Sequence, residues 1–216
     1  MSKKIVIVFE GIEGSGKTFH IKHVSNYLKK KKISHVSIRE PGGSKNSEKI
    51  RKLILNNKSN FQKNTDLLLY LAARSENISY LKKFYKKKII LLDRFTDSTL
   101  AYQHFGMGVN LDIIKKINDH ILNNFKVNFT FLNIVNEKNM IKRLRKRVKL
   151  NRYDKFNKDF YRRVQKGYLK LSKNKKNYQI IDSNLSIETN KKNIINKIEK
   201  LIRWTFALNH KQNSMV

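Results

Sequence analysis

The chain has 216 residues, no cysteine and a formal net charge of +32 at pH 7. Its length suffices for one α/β domain with a sizeable core, and the lack of cysteine excludes disulfides, thiol redox chemistry and thiolate metal ligands. No apolar run approaches the roughly 20 residues of a membrane-spanning helix, so we expect a soluble, cytoplasmic protein with no membrane partner.

A large positive charge is typical of proteins that bind nucleic acid or other anions. Here the lysines are spread through nearly every surface stretch, and the runs at 29–32 and 86–88 fall at predicted helix ends just before strands. Cations are favourable at such ends because they oppose the helix dipole. We therefore interpret these runs as solvated helix ends rather than as a specific nucleic-acid site.

The stretch IVIVFEGIEGSGKT (5–18) predicts a strand, a phosphate-binding loop and the start of a helix. Its glycines and its final lysine and threonine match the spacing G-x-x-x-x-G-K-[ST], in which backbone N–H groups converge on a di- or triphosphate. Glycine lets phosphate oxygens approach several amides at once. The lysine reaches the outer phosphates, and the threonine hydroxyl holds Mg²⁺. We expect a nucleoside triphosphate to contact the whole loop, namely Gly11, Ile12, Glu13, Gly14, Ser15, Gly16, Lys17 and Thr18.

The next predicted strand, 34–38, ends in the charged turn REPGG at 39–43. Ligands of open parallel sheets bind at the carboxyl ends of the strands, so we interpret this turn as a functional loop; the alternative is an ordinary Pro-Gly turn. A short helix over 48–55 follows, with Ile50, Leu53 and Ile54 predicted to face inward.

A longer helix is predicted over about 65–84 and contains the apolar run LLLYLAAR at 67–74. Tyr70 and Arg74 are one turn apart and share a helix face, where an aromatic ring and a planar guanidinium could hold a flat heterocycle. Considered alone, a tyrosine at position 70 is more often a core residue than a ligand contact. Arg74 requires either a buried partner or access to a cleft.

The apolar run 89–92 predicts a central strand of a parallel sheet and ends at Asp93-Arg94. A carboxylate at that edge is placed to hold or orient Mg²⁺; the alternative is a structural ion pair with Arg94. Residues 95–103 are predicted to form a helix whose polar start faces the cleft. Gln103 offers both the donor and the acceptor that a base edge needs.

The remaining pattern predicts helices over 112–122 and 187–208 and strands over 129–134 and 178–182. Alternating strands and helices predict an α/β fold, a doubly wound five-stranded parallel sheet flanked by helices. We expect one domain over 1–209 and a flexible tail over 210–216. The arginine-rich segment 143–152 is interpreted either as a phosphoryl-binding segment or as a solvated helix face.

In combination these features resemble the bacterial thymidylate kinases. The matching stretches are FEGIEGSGKT (9–18), REPGG (39–43), LAAR (71–74), DR (93–94) with Ser98 and AYQ (101–103), and NRYD (151–154). The resemblance runs from the first predicted strand to the last. It implies a P-loop NTPase fold of the nucleoside monophosphate kinase type, with a mobile lid at about 143–154. The implied reaction transfers the γ-phosphoryl group of ATP to dTMP and gives dTDP and ADP for dTTP synthesis.

The resemblance also implies roles for individual positions. Arg143 joins the phosphate loop at ATP, and Thr18 and Asp93 hold Mg²⁺, partly through water. The phosphate of dTMP is surrounded by Arg39, Arg51 and Arg94. The remaining contacts to dTMP are implied for Glu13, Glu40, Pro41, Tyr70, Arg74, Ser98, Thr99, Tyr102 and Gln103. Among these, Tyr70 takes the place of a phenylalanine stacked on thymine, Arg74 reaches a base carbonyl, Thr99 and Gln103 bind the base edge, and Tyr102 excludes a ribose 2′-hydroxyl.

Members of this family carry the catalytic arginine either in the phosphate loop or in the lid. No arginine lies between Gly11 and Thr18, so the chain resembles the lid type, with Arg147 and Arg152 as its lid arginines. The implied catalytic set is Lys17, Asp93, Arg94, Arg147 and Arg152. A homodimer formed by the helices around 44–124 is implied as well. The chain departs from the family pattern at Phe95, Met107 and Asn151, where relatives commonly carry tyrosine, arginine and aspartate.

Two other functions remain open at this point. The first is a kinase for another nucleotide or a deoxynucleoside, because a phosphate loop does not define the acceptor. The second is non-enzymatic, a nucleic-acid-binding NTPase suggested by the charge of +32. Turnover of dTMP discriminates among the three, and we expect no specific nucleic-acid partner.

Overall fold

The computed structural model describes residues 5–85, 87–148 and 150–213, and its centre is a five-stranded parallel sheet. The strands are β1 (Val6–Glu10), β2 (His35–Arg39), β3 (Ile89–Asp93), β4 (Phe129–Ile134) and β5 (Tyr178–Asp182), in the spatial order β2-β3-β1-β4-β5. The chain crosses over between parallel neighbours, as in doubly wound folds. The predicted fold class is confirmed.

Helices and short helical turns connect the strands. They are α1 (Lys17–Lys30), α2 (Lys45–Leu55), α3 (Lys63–Lys82), α4 (Thr96–Thr99), a π-helix (Leu100–Gly106), α5 (Leu111–Leu122), α6 (Glu137–Arg145), a 3₁₀ turn (Arg152–Lys155), α7 (Lys158–Ser172) and α8 (Ile187–Asn213). None of the helices within the described ranges is long and apolar enough to cross a membrane.

Both faces of the central strands β1, β3 and β4 are buried, which explains their largely apolar sequences. Alternate residues of β1 point to opposite faces: Ile7 and Phe9 pack with α1 and α8, whereas Val6 and Val8 pack with the carboxyl half of α3. A further apolar cluster joins α2, the π-helix and α7 beside the carboxyl edge of the sheet. The core therefore holds that edge rigidly between helical layers.

Several predicted elements differ from the structure. Leu53 is 53% exposed instead of inward, because Ile50 and Ile54, four residues apart, form the buried stripe of α2. The predicted helix over 95–103 divides into α4 and the π-helix, a distinction that apolar spacing does not encode in so short a stretch. Helix α8 continues to Asn213, past the predicted end at 208, and residues 214–216 of the predicted tail lie outside the described ranges. Helices α6 and α7 were not predicted as elements.

The strand ends place the predicted site residues side by side. Phe9 of β1 is in register with Asp93 of β3, and Asp93 is in register with Arg39 of β2. The loops after these strands therefore open at one edge of the sheet, where open α/β folds bind ligands.

Candidate active site

A cleft of about 320 Å³ opens at this carboxyl edge and brings most of the predicted residues together. Its walls are Glu13, Lys17, Thr18, Arg39, Glu40, Pro41, Arg51, Leu55, Tyr70, Asp93, Arg94, Ser98, Tyr102, Gln103, Arg147, Asn151 and Tyr153. The predicted residues outside these walls are Gly11, Ile12, Gly14, Ser15, Gly16, Arg74, Thr99, Arg143 and Arg152.

The phosphate loop is fixed by backbone geometry and by its lysine. Gly11 has φ +136°, and a Cβ atom there would lie 2.2 Å from the backbone oxygen of Asn133, so a side chain does not fit. Gly16, also at positive φ, precedes the first turn of α1. The Nζ atom of Lys17 donates to the backbone oxygens of Gly11 and Ile12, each at 2.8 Å. The loop thus presents a helix N-terminus and a buried cation in one place, which is a site for anions.

The buried position of Lys17 changes its acidity. Burial, assisted by the charge of Arg94, lowers the pKa of Lys17 to about 7. A bound polyphosphate would favour the charged amine and raise that pKa. Lys17 is therefore matched to an anionic ligand rather than to a neutral one.

Arg143 supports the loop from α6. Its guanidinium donates to the backbone oxygens of Gly14 at 2.9 Å and Ser183 at 2.6 Å. It therefore joins the phosphate loop to the turn after β5, next to the cleft and not in its wall.

The pair Thr18 and Asp93 fits a magnesium ion. The Oγ1 atom of Thr18 donates to the Oδ2 atom of Asp93 at 2.9 Å, so a hydroxyl and a carboxylate converge beside Lys17. Within the described ranges no group of three or more His, Cys, Asp or Glu could hold a metal. Mg²⁺ commonly takes one or two protein oxygens and completes its shell with phosphate oxygens and water, and this donor set matches that mode.

Three arginines, Arg39, Arg51 and Arg94, line the same cleft as the phosphate loop. Burial and the neighbouring Arg39 lower the pKa of Arg51 to about 10, and its Nη1 atom donates to the backbone oxygen of Pro41 at 2.6 Å. Arg94, at φ +73°, donates to the backbone oxygen of Gly11 at 2.8 Å. Arg94 and Arg39 have the carboxylate partners Glu13 and Glu48, and Arg51 adds a further positive charge beside the loop, which favours a second phosphate group there.

Glu13 is the counter-charge within this cluster. Arg94 donates to its Oε1 atom at 2.7 Å, and the Tyr102 hydroxyl donates to its other oxygen. Burial opposes ionisation of Glu13, but Arg94 and Lys17 together hold its pKa below the ordinary value. The guanidinium of Arg94 also lies over the Tyr102 ring, 5.0 Å from its centre. Glu13 and Tyr102 are therefore rigidly placed between the two phosphate-binding groups.

Arg74 has buried partners and does not reach the cleft. Its side chain is 2% exposed and pairs with Glu40 at 2.9 Å. It also donates to Thr99 at 2.9 Å, Asn118 at 2.7 Å and the backbone oxygen of Phe95 at 2.9 Å. Glu40, whose pKa burial raises, is the member of this network that lines the cleft. Arg74 and Thr99, for which the resemblance implies direct contact to a base, lie beneath the cleft wall rather than in it.

Glu10 and Tyr168 were missed by the sequence analysis. Glu10 accepts hydrogen bonds from the backbone N–H of Phe95 at 2.8 Å and from the Ser98 hydroxyl at 2.6 Å, and Tyr168 donates to it at 3.1 Å. A carboxylate at a helix N-terminus is favourable. The sequence signal for this role was a glutamate at the end of an otherwise apolar strand. These contacts fix α4 and hence Ser98 in the cleft wall.

The two lid arginines lie in different surroundings. Arg147 lines the cleft and pairs with Asp154. Arg152 forms an ion pair with Asp66 at the start of α3 and does not line the cleft. The structure brings Arg147, but not Arg152, to the cations of the phosphate sites.

Tyr153, also missed, belongs to the lid and packs against the predicted base site. Its ring contacts Tyr70 and Tyr102 edge to face, with centroids 5.9 and 5.8 Å away. The Asn151 side chain caps its turn together with Asp154. The predicted base contacts Tyr70 and Gln103 therefore form an aromatic and polar recess under the lid.

The chain is similar to known thymidylate kinases along most of its length. A family model described as thymidylate kinase matches residues 9–194. Thymidylate kinase of Kosmotoga olearia is 35% identical over 185 residues, covering 84% of this chain and 89% of the relative. Thymidylate kinase of Thermosipho africanus is 37% identical over 198 residues, covering 91% of this chain and 96% of the relative. The crystal structure of thymidylate kinase from Ehrlichia chaffeensis superimposes with a TM-score of 0.73 at 28% identity and covers 90% of this chain and 98% of that one.

Proposed function

The chain belongs to the thymidylate kinase family, and we propose that its cleft carries out the transfer of the γ-phosphoryl group of ATP to dTMP with the residues assigned below. The products are dTDP, which leads to dTTP, and ADP. The observation that carries this assignment is that a phosphate loop and a cluster of three further cations, Arg39, Arg51 and Arg94, line one cleft. Two groups of phosphate-binding residues in one cleft suit a donor and an acceptor rather than a single nucleotide.

On the donor side, the amides from Gly11 to Thr18 and the amine of Lys17 bind the ATP phosphates, with Arg143 behind them. Thr18 and Asp93 hold Mg²⁺, in part through water. When bound, Mg²⁺ neutralises charge on the β- and γ-phosphoryl oxygens. Lys17 adds a cation that becomes fully protonated against the phosphates.

On the acceptor side, Arg39, Arg51 and Arg94 bind the dTMP phosphate and turn one of its oxygens toward the γ-phosphoryl group. Phosphoryl transfer needs little covalent help from the protein, so alignment and charge stabilisation carry the rate. Glu13 and Tyr102 lie beside the sugar, and the Tyr102 ring excludes a 2′-hydroxyl. Ser98 completes this wall.

The base site lies under Tyr70, which stacks on thymine, with Gln103 at the base edge. Arg74 and Thr99 act on the base through their contacts rather than directly, since the guanidinium is committed to Glu40 and to three further acceptors. We therefore assign them a positioning role. Pro41 and Glu40 close the side toward β2.

The lid, about 143–154, closes over both substrates within a single domain spanning 1–209. Arg147 supplies the positive charge that stabilises the transferring phosphoryl group, and closure excludes water that would hydrolyse ATP. Since Arg152 contacts Asp66, we assign catalytic charge to Arg147 first and test Arg152 beside it.

We further propose that the protein is a cytoplasmic homodimer formed by the helices of 44–124. Leu68 of α3 and Ile113 of α5 are 57% and 51% exposed and line one shallow groove of about 450 Å³ between those helices. Apolar side chains grouped in this way are typical of subunit interfaces.

A steady-state assay with ATP, Mg²⁺ and a panel of acceptors tests the proposal. We expect dTMP to outcompete dCMP, dGMP and thymidine in kcat/KM. A clear preference for one of these three would overturn the acceptor assignment. Hydrolysis of ATP stimulated by DNA, with no transfer to any monophosphate, would favour the nucleic-acid-binding NTPase instead.

A further inference from the structure

Asp66 is a buried carboxylate to which the sequence analysis gave no role. It lies in the first turn of α3 and is 1% exposed. Its Oδ1 atom accepts from Arg152, and its Oδ2 atom accepts from the hydroxyl of Tyr153. Both partners belong to the lid, so Asp66 fastens the lid to the rigid helical layer.

The same carboxylate also contacts the base site. The Nε2 atom of Gln103 lies 3.3 Å from Oδ2 of Asp66 and 3.4 Å from the hydroxyl oxygen of Tyr153. Gln103 itself is 1% exposed and lines the cleft. One buried oxygen therefore joins the lid and the base edge.

This contact fixes which end of the Gln103 amide faces Asp66. An ionised carboxylate only accepts hydrogen bonds, so the neighbouring amide must turn its NH₂ group toward it. The hydroxyl of Tyr153 donates to Asp66 and accepts from the same NH₂ group, which agrees with that orientation. The carbonyl oxygen of Gln103 is then the atom available to a ligand in the cleft.

An acceptor oxygen at this point discriminates between pyrimidines. The ring N3 of thymine and uracil carries a hydrogen and donates, whereas N3 of cytosine has no hydrogen and only accepts. A carbonyl oxygen facing N3 therefore pairs with thymine and repels cytosine. A site that buries an oriented polar group rejects a base that leaves it unpaired.

We propose that Asp66 is a positioning residue that orients Gln103 to select a base with an N3–H group and that fastens the lid over that base through Arg152 and Tyr153. This inference rests on the proposed function and adds a determinant of its acceptor specificity. It also assigns Arg152 to lid anchorage rather than to the transferring phosphoryl group.

The test is Asp66→Asn, which keeps the shape but replaces an acceptor oxygen with NH₂ and removes the charge. Gln103 can then turn its amide over, so we expect the preference for dTMP over dCMP in kcat/KM to fall about tenfold or more. We also expect more ADP released without dTDP, because a loosened lid admits water. Asp66→Glu, which keeps the carboxylate, should recover part of the preference.

Two further variants separate the arms of the network. Arg152→Ala breaks only the lid contact, so kcat/KM should fall by a similar factor for dTMP and dCMP while their ratio is kept. Asp159→Asn is the matched control. Like Asp66, Asp159 lies in the first turn of a helix and pairs with an arginine, Arg162 at 2.7 Å, but its side chain is 68% exposed and lies outside the cleft. It should match the unmutated protein in every measurement.

The outcomes distinguish this inference from the proposed function. If the unmutated protein does not phosphorylate dTMP, the proposed function fails. If it does, and Asp66→Asn keeps the dTMP to dCMP ratio within about twofold, the specificity role of Asp66 is overturned. Should Asp66→Asn fail to fold, Asp66→Ser carries the test, because its hydroxyl can donate as well as accept and no longer fixes the Gln103 amide: a dTMP to dCMP ratio within about twofold of the unmutated protein contradicts the inference, and a ratio lowered about tenfold or more supports it.

Discussion

Replacement of Arg147 by alanine tests the assignment of catalytic charge to the lid. Arg147 lines the cleft, and its side chain is 39% exposed where it pairs with Asp154. The loss in stability should be small, about 0–1 kcal/mol, because the pair is partly solvated. Asp154 also keeps partners in the variant, since it accepts from the backbone and side chain of Asn151 at 3.0 and 2.6 Å.

The effect on rate should be much larger than the effect on stability. An arginine that stabilises a transferring phosphoryl group is worth about 10³ to 10⁵ in kcat, which corresponds to about 4–7 kcal/mol of transition-state stabilisation. Because that interaction strengthens in the transition state, kcat should fall far more than the affinity for dTMP.

The assay is steady-state kinetics at saturating ATP and variable dTMP, with thermal melting as the measure of folding. Arg145→Ala is the control, since Arg145 ends α6 two residues away, is exposed and lies outside the cleft wall. It carries the same loss of charge and should leave kcat unchanged. A decrease in kcat below about tenfold, equal losses in kcat and dTMP affinity, or a larger kcat loss in Arg152→Ala would each refute the assignment of Arg147.

Three further perturbations test other parts of the molecule. Gly11→Ala should abolish ATP binding and lower the melting temperature, because its Cβ would lie 2.2 Å from a backbone oxygen of β4. The control is Gly108→Ala, which has no atom within 4 Å of its Cβ and should lose only the roughly 1–2 kcal/mol of stability that a positive φ costs. Similar ATP binding in both variants would contradict this account of the loop. Since burial lowers the pKa of Lys17 to about 7 and bound phosphates raise it, ATP binding at pH 8 should take up a proton and should weaken as the pH rises from 7 to 10. Calorimetry in buffers of different ionisation enthalpy measures that proton uptake. The Lys17→Arg variant should lack it, and equal proton uptake by the variant and the unmutated protein would disprove the lowered pKa of Lys17. Leu68→Glu should convert the proposed dimer to monomer in sedimentation, while Leu185→Glu, at a leucine 54% exposed away from the groove, should not; a monomeric unmutated protein would remove the dimer from the proposal.

Local patterns in the sequence were sufficient for the sheet and for the phosphate loop. The three central strands β1, β3 and β4 are largely apolar runs buried on both faces, so their positions follow from composition alone. The loop requires glycine at fixed offsets because backbone must approach phosphate, and φ +136° at Gly11 shows that requirement directly. The carboxyl-edge location of Asp93 and Arg39 followed from the parallel topology, which the register between β2 and β3 confirms.

Other features could not be derived because they depend on partners far apart in the chain. The helical spacing predicts Tyr70 and Arg74 on one face of α3, but only the tertiary structure distinguishes their surroundings. Tyr70 lines the cleft, whereas Arg74 donates hydrogen bonds to buried acceptors in three other segments. The π-helix and the helix α7 that packs on it also depend on long-range contacts, as the closeness of Gly106 to Phe160 shows.

The sequence by itself determined that this protein binds a nucleoside triphosphate at the edge of a parallel sheet, since the loop needs only its own glycines, lysine and threonine. The tertiary structure decided how the lid arginines are used. Arg147 and Arg152 are five positions apart, and both lie in the same arginine-rich segment. Arg147 lines the cleft, whereas Arg152 pairs with Asp66, 86 residues away in the sequence. Such a pairing depends on how α3 packs beneath the lid, and no local spacing encodes that arrangement.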